Sequence, residues 1–98
     1  MRSKLPAVHP GAFLAEILDE FGVSQAKFAR AAGVSAMRVS HVIAGRRPVS
    51  ADLALRFGKL LGQSPEYWLN LQAAYDLAVA RDALRARLKG VRPLPDVA

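Results

Sequence analysis

Residues 24–45 read SQAKFARAAGVSAMRVSHVIAG, and their punctuation leaves the chain few alternatives. Two short amphipathic segments, Gln25 to Ala32 and Ala36 to Ala44, each follow a serine and are separated by only Gly33, Val34 and Ser35. A serine ahead of a helix accepts hydrogen bonds from the first free N–H groups. A glycine behind one adopts the left-handed backbone that closes it. Ala29 is small where the two helices must approach each other, and Phe28, Val34, Val39, Val42 and Ile43 are spaced to form a plug beneath the pair. A three-residue turn containing glycine between two short helices predicts a helix-turn-helix.

The same punctuation divides the rest of the chain. Pro10-Gly11 opens a helix to about Phe21, with Phe13, Leu14, Ile17 and Leu18 on one face and Gly22 as its stop. After the loop Arg46-Arg47-Pro48-Val49, Ser50 caps a fourth helix from Ala51 to Leu61, ended by Gly62. Ser64, Pro65 and Glu66 combine a cap, a first-turn proline and an early carboxylate, a strong start for a fifth helix. That helix can run to about Lys89, before Gly90, roughly 25 residues and long for a small domain. No segment alternates as a strand does, so the expectation is an all-α fold of five helices. An N-terminal arm covers residues 1–8, the domain with its long last helix 9–89, and a proline-broken, flexible tail 90–98.

Charge and composition narrow the function classes. The 98 residues carry a net charge of +6 and no cysteine. Without cysteine there is no disulfide, thiolate metal site or thiol nucleophile, and a reducing, cytoplasmic setting is expected. No window approaches 18 uninterrupted apolar residues, so no membrane span is expected. No Walker-type phosphate loop and no paired base and nucleophile are visible, so neither catalysis nor a cofactor is expected. His9 and His41, far apart in the chain, make a poor metal site, and His9 reads better as a helix-start residue. Between Glu20 and Asp52 there is no acidic residue, while Lys27, Arg30, Arg38, Arg46 and Arg47 fall inside that interval. A continuous cationic stretch suits a surface that faces a polyanion.

Projecting the third helix at 100° per residue separates its faces. Val39, Val42 and Ile43 point inward; Met37, His41 and Ala44 point away, with Arg38 and Ser40 on the flanks. The outer face is narrow enough for a major groove, which admits one helix. Base-reading positions are therefore expected at Ser35, Ala36, Met37, Arg38, Ser40 and His41. Arg38 can hold guanine in bidentate fashion or take a phosphate, and Met37 and Ala36 can touch a thymine methyl. Gln25 and Lys27 on the second helix, and Arg46 and Arg47 on the loop, are expected to hold the DNA backbone and set register. A glycine-turn helix pair also occurs in proteins that never touch DNA. The acid-free interval and the serine caps favour the DNA reading.

The fifth helix suggests a dimer. Trp68, Leu71, Tyr75, Ala78 and Val79 form one apolar stripe, and Leu77, Leu84 and Leu88 extend another. Such proteins usually pair to read two half-sites about one helical turn apart. The expected homodimer contacts are Trp68, Leu71, Tyr75, Leu84 and Leu88, although Trp68 and Tyr75 serve equally well to finish the domain core.

From residue 24 to residue 80 the chain reads SQAKFARAAGVSAMRVSHVIAGRRPVSADLALRFGKLLGQSPEYWLNLQAAYDLAVA, preceded by HPG at 9–11. This resembles the HigA-type antitoxins of the lambda-repressor-like (XRE-type) helix-turn-helix superfamily, over roughly residues 8–94. SPEYWLNLQAAYDL is its most distinctive stretch. The resemblance implies a five-helix lambda-repressor-like domain with two linked roles. One is neutralisation of a small basic toxin of the HigB/RelE type, which cleaves messenger RNA. The other is repression of the chain's own promoter through operator DNA. It matches the family's reading helix to Ser35–Ala44, its backbone contacts to Gln25, Arg46 and Arg47, and its dimer contact to the fourth and fifth helices. The alternatives are a stand-alone repressor without a toxin and, third, a module that offers its basic face to an acidic protein.

Overall fold

Serine side chains start four of the helices. The computed structural model describes residues 7–95, in the order α1 (Pro10–Phe21), α2 (Gln25–Ala32), α3 (Ala36–Ile43), α4 (Ala51–Leu61) and α5 (Pro65–Leu88). Ser24, Ser35, Ser50 and Ser64 each accept from the N–H three residues on, which satisfies a group that the first helical turn leaves open. At α1 the same work falls to His9, whose Nδ1 accepts from the Gly11 N–H at 2.9 Å. Among the described residues there is no strand, and no helix is long and apolar enough to cross a membrane. The expected arm (1–8) and tail (90–98) lie partly outside the described residues.

The core forms where the five helices converge. Leu14 and Leu18 from α1, Phe28 and Ala29 from α2, Val39 and Val42 from α3, and Leu53 and Phe57 from α4 are buried together with Val49 and Trp68. Phe57 is the aromatic centre. Phe28 lies tilted against it at 5.2 Å, and Trp68 meets it nearly edge-on at 5.5 Å, an arrangement that stabilises beyond simple area burial. The Trp68 indole N–H donates to Gln63 Oε1 at 2.8 Å, so its one polar group is satisfied although the residue has no exposed surface. Phe28, Val39 and Val42 of the expected plug are buried, with Val34 and Ile43 packed partly buried against them.

Close helix contact depends on Gly11. A Cβ there would overlap the Val42 carbonyl on α3, so only glycine lets the start of α1 seat against the end of α3.

The inner part of α5 covers this core, and the rest projects. Trp68 and Gln72 are buried, whereas every residue from Asp76 to Leu88 is exposed. The described chain measures 53 × 27 × 22 Å along its principal axes, with a radius of gyration of 16.8 Å. A rounded domain of this length would have about 13 Å.

Candidate nucleic-acid interface

The third helix, α3, is held from both ends. At its start, Ser35 Oγ accepts from the Arg38 N–H at 3.1 Å. At its end, Ala44 N–H returns to the Ser40 carbonyl, while the N–H groups of Arg46 and Arg47 both donate to the His41 carbonyl, at 2.8 and 3.3 Å. The basic loop is thus folded back onto the last turn of α3. Its far side is fixed by α5: the buried Val49 N–H donates to Gln72 Oε1 at 2.8 Å, and Gln72 Nε2 donates in turn to Asp76 Oδ1 at 2.9 Å. Arg46 and Arg47 project from a pinned backbone into solvent.

The turn before α3 is braced as well. Gly33 sits at φ 75°, the left-handed region that side chains resist, and its neighbour Val34 donates to the Ala29 carbonyl at 3.0 Å. Arg56, on α4, reaches across to the same turn. Its Nη1 donates to the Ala32 carbonyl at 2.8 Å and to the Gly33 carbonyl at 3.3 Å, while its Nε donates to Asp52 Oδ1 at 2.7 Å. The hydrogen bond from Arg56 holds the Asp52 carboxyl below its ordinary range, with the nearby Arg38 charge acting in the same direction.

The outer side of α3 carries the expected face. Ser35, Ala36, Met37 and Ser40 are exposed, Met37 to 66%, and Arg38 and His41 are half-buried on its borders. A methionine so open on a helix whose opposite side is core has no intramolecular packing role. Gln25 stands at the first turn of α2 and Lys27 two residues on, both exposed. That helix start directs free N–H groups outward beside them, a favourable place for an anion. The outer side of α3, the Arg38 side chain beside it and the Arg46-Arg47 loop at its end therefore lie on one firmly held stretch of chain, while Gln25 and Lys27 are exposed on α2.

Similarity to known proteins accords with this geometry. The helix-turn-helix family HTH_3 matches residues 14–68, from α1 to the indole that seals the core. Antitoxin HigA-1 of Vibrio cholerae serotype O1 is 37% identical over 79 residues, which is 81% of this chain and 74% of that protein. The chain belongs to the HigA-type antitoxins. A HigA-family addiction module antidote protein from Coxiella burnetii superposes with a TM-score of 0.89 at 36% identity, covering 92% of this chain and 100% of that one. The Pseudomonas aeruginosa antitoxin HigA, solved with the higBA promoter, superposes with a TM-score of 0.86 at 40% identity, covering 90% of this chain and 98% of its own.

Within this HigA-type frame, two expectations need correction. Trp68 was expected at a dimer contact, but it has no exposed surface and belongs to the core. Leu71 packs half-buried against that core, and Tyr75, also half-buried, meets the His9 ring edge-on at 4.9 Å. The aromatic stripe is used mainly inside the domain, while Leu84 and Leu88 remain exposed at 37% and 47%. The second correction concerns charge. The stretch from residue 21 to residue 51 is acid-free in sequence, yet the fold sets Asp52 Oδ2 3.5 Å from Arg38 Nη1.

Four residues outside the expected set also shape the surface: His9, Asp52, Arg56 and Gln72. The i,i+4 spacing of Asp52 and Arg56 announces a helix pair. Nothing in sequence announces that the pair lies against a turn more than twenty residues earlier.

Proposed function

We propose that this chain is a transcriptional autorepressor and toxin antagonist: it binds operator DNA in its own promoter, and it neutralises a HigB/RelE-like messenger-RNA-cleaving toxin. α3 enters the major groove with Ser35, Ala36, Met37, Arg38, Ser40 and His41 toward the bases. Gln25, Lys27, Arg46 and Arg47 hold the flanking phosphates. The observation that carries this reading is the exposed outer side of α3, with Met37 66% exposed and the arginine loop folded onto the same helix end through the His41 carbonyl. The relative solved with its promoter supports it. The role is binding rather than catalysis and is exercised in the cytoplasm.

A homodimer completes the reading. The projecting half of α5 presents Leu77, Val79, Leu84 and Leu88 to solvent, and one such module reads too few base pairs for a selective site. Pairing along this helix joins two reading surfaces into one twofold reader.

The decisive experiment titrates the purified protein against a duplex carrying the gene's own upstream region, at low and at physiological salt. Salt-sensitive binding, preferred over a scrambled duplex, is expected. No complex even at low salt removes the repressor role. Co-expression with the adjacent reading frame should yield a co-purifying complex and relieve growth arrest. Failure of both leaves a repressor without a toxin.

A further inference from the structure

Asp52 is the carboxylate that the fold brings back to the reading helix. Its two contacts are unequal. Arg56 Nε donates to Oδ1 at 2.7 Å, and the same guanidinium is anchored on the Ala32 carbonyl at 2.8 Å. Asp52 is therefore fixed from behind, whatever Arg38 does. Arg38 meets Oδ2 through Nη1 alone, at 3.5 Å, the outer limit of a hydrogen bond. Its remaining N–H donors are left without a protein partner among the described residues. Both side chains are partly open, Arg38 to 34% and Asp52 to 50%, and a pair so exposed adds little stability.

A fixed anion that stabilises little, placed beside a cation on the DNA-facing side, has a different effect. Phosphates are present at every step of every duplex, so a contact to them carries no sequence information. A guanine edge is present only at the right step and takes a guanidinium through two bonds. Asp52 repels phosphates near Arg38 on all sequences alike and occupies one edge of the guanidinium. The edge that stays free can still meet a base.

We infer that Asp52 is a specificity-determining residue: it withholds Arg38 from the phosphate backbone, so that this arginine binds productively only where the base sequence offers it a partner. The inference rests on the DNA-reading role proposed above. It is a case of discrimination built by penalising the wrong complex rather than by improving the right one.

The test compares wild type, Asp52→Asn, Arg38→Ala and the double variant. Each is titrated against the upstream-region duplex and against a scrambled duplex of equal length. Asparagine keeps an acceptor for Arg56, and thermal unfolding of each variant checks that the turn brace survives. Asp52→Asn is expected to tighten binding to the scrambled duplex by roughly threefold to tenfold while changing the upstream duplex less than about twofold. On the Arg38→Ala background the same change should leave the ratio between the duplexes unaltered. Asp52→Glu, which keeps the charge, should retain most of the wild-type ratio.

Equal tightening on both duplexes, or the same shift without Arg38, makes Asp52 an ordinary surface charge and overturns the inference. No change does so too. Should wild type itself fail to separate the two duplexes, the DNA-reading role falls and this inference with it, a result visible before any variant is made.

Discussion

Arg46 and Arg47 show what a residue gains from a fixed backbone. An arginine on a free loop must be ordered before it can hold a phosphate, at a cost in side-chain and backbone entropy. Here the His41 carbonyl and Gln72 already pin the loop on either side. We expect Arg46→Ala to weaken binding to all duplexes alike and to lower the salt slope by about one counterion unit. A slope equal to wild type would reject the phosphate contact. At this scale the sequence was partly legible. Serine caps follow from local chemistry and stand where the residues before each helix require them. The brace of Arg56 on the Gly33 turn joins residues 23 positions apart, and no local rule reports such a contact.

Among the elements, α1 runs from Pro10 to Phe21 as its spacing suggests, while α5 divides in a way that periodicity alone does not report. α1 begins at His9, whose Nδ1 must be unprotonated to cap the helix. Burial pushes His9 below its ordinary value of 6.5, against the opposing pull of the Asp76 carboxylate and the Arg47 backbone. With the folded value depressed, the unfolded chain takes up its proton first as pH falls. The stability present above about pH 6.5 is thus lost as pH falls through the folded value. His9→Asn keeps a capping acceptor without a titrating group. Between about pH 7 and about pH 5 the melting temperature of wild type should fall more steeply than that of the variant; parallel curves would remove His9 as the cause. The extent of α5 was readable from its cap and its proline. Its division was not, because an apolar residue facing the core and one facing solvent look alike in a sequence. Trp68 and Leu84 are told apart only by where α1 and α4 stop covering the fifth helix.

For the molecule as a whole, the long axis comes from the uncovered half of α5, which extends about 20 Å at 1.5 Å per residue. Four large apolar side chains stand on it in water, Leu77, Val79, Leu84 and Leu88. Leu84→Asp should give a monomer in sedimentation experiments without lowering the melting temperature by more than a few degrees, since Leu84 is outside the core. A variant that still sediments as a dimer would move the interface elsewhere. The same substitution should weaken binding to a two-half-site duplex far more than to a single half-site.

Gln72 gives α5 a second consequence. One amide bridges the helix that carries the projecting arm and the loop that displays the arginines, with a 2.8 Å bond to Val49. Gln72 lies one turn beyond the buried Trp68 on the same face of α5, so the seating of this helix in the core also sets the backbone beside the arginines. One side-chain amide thus couples the packing of the last helix to the placement of the arginine loop.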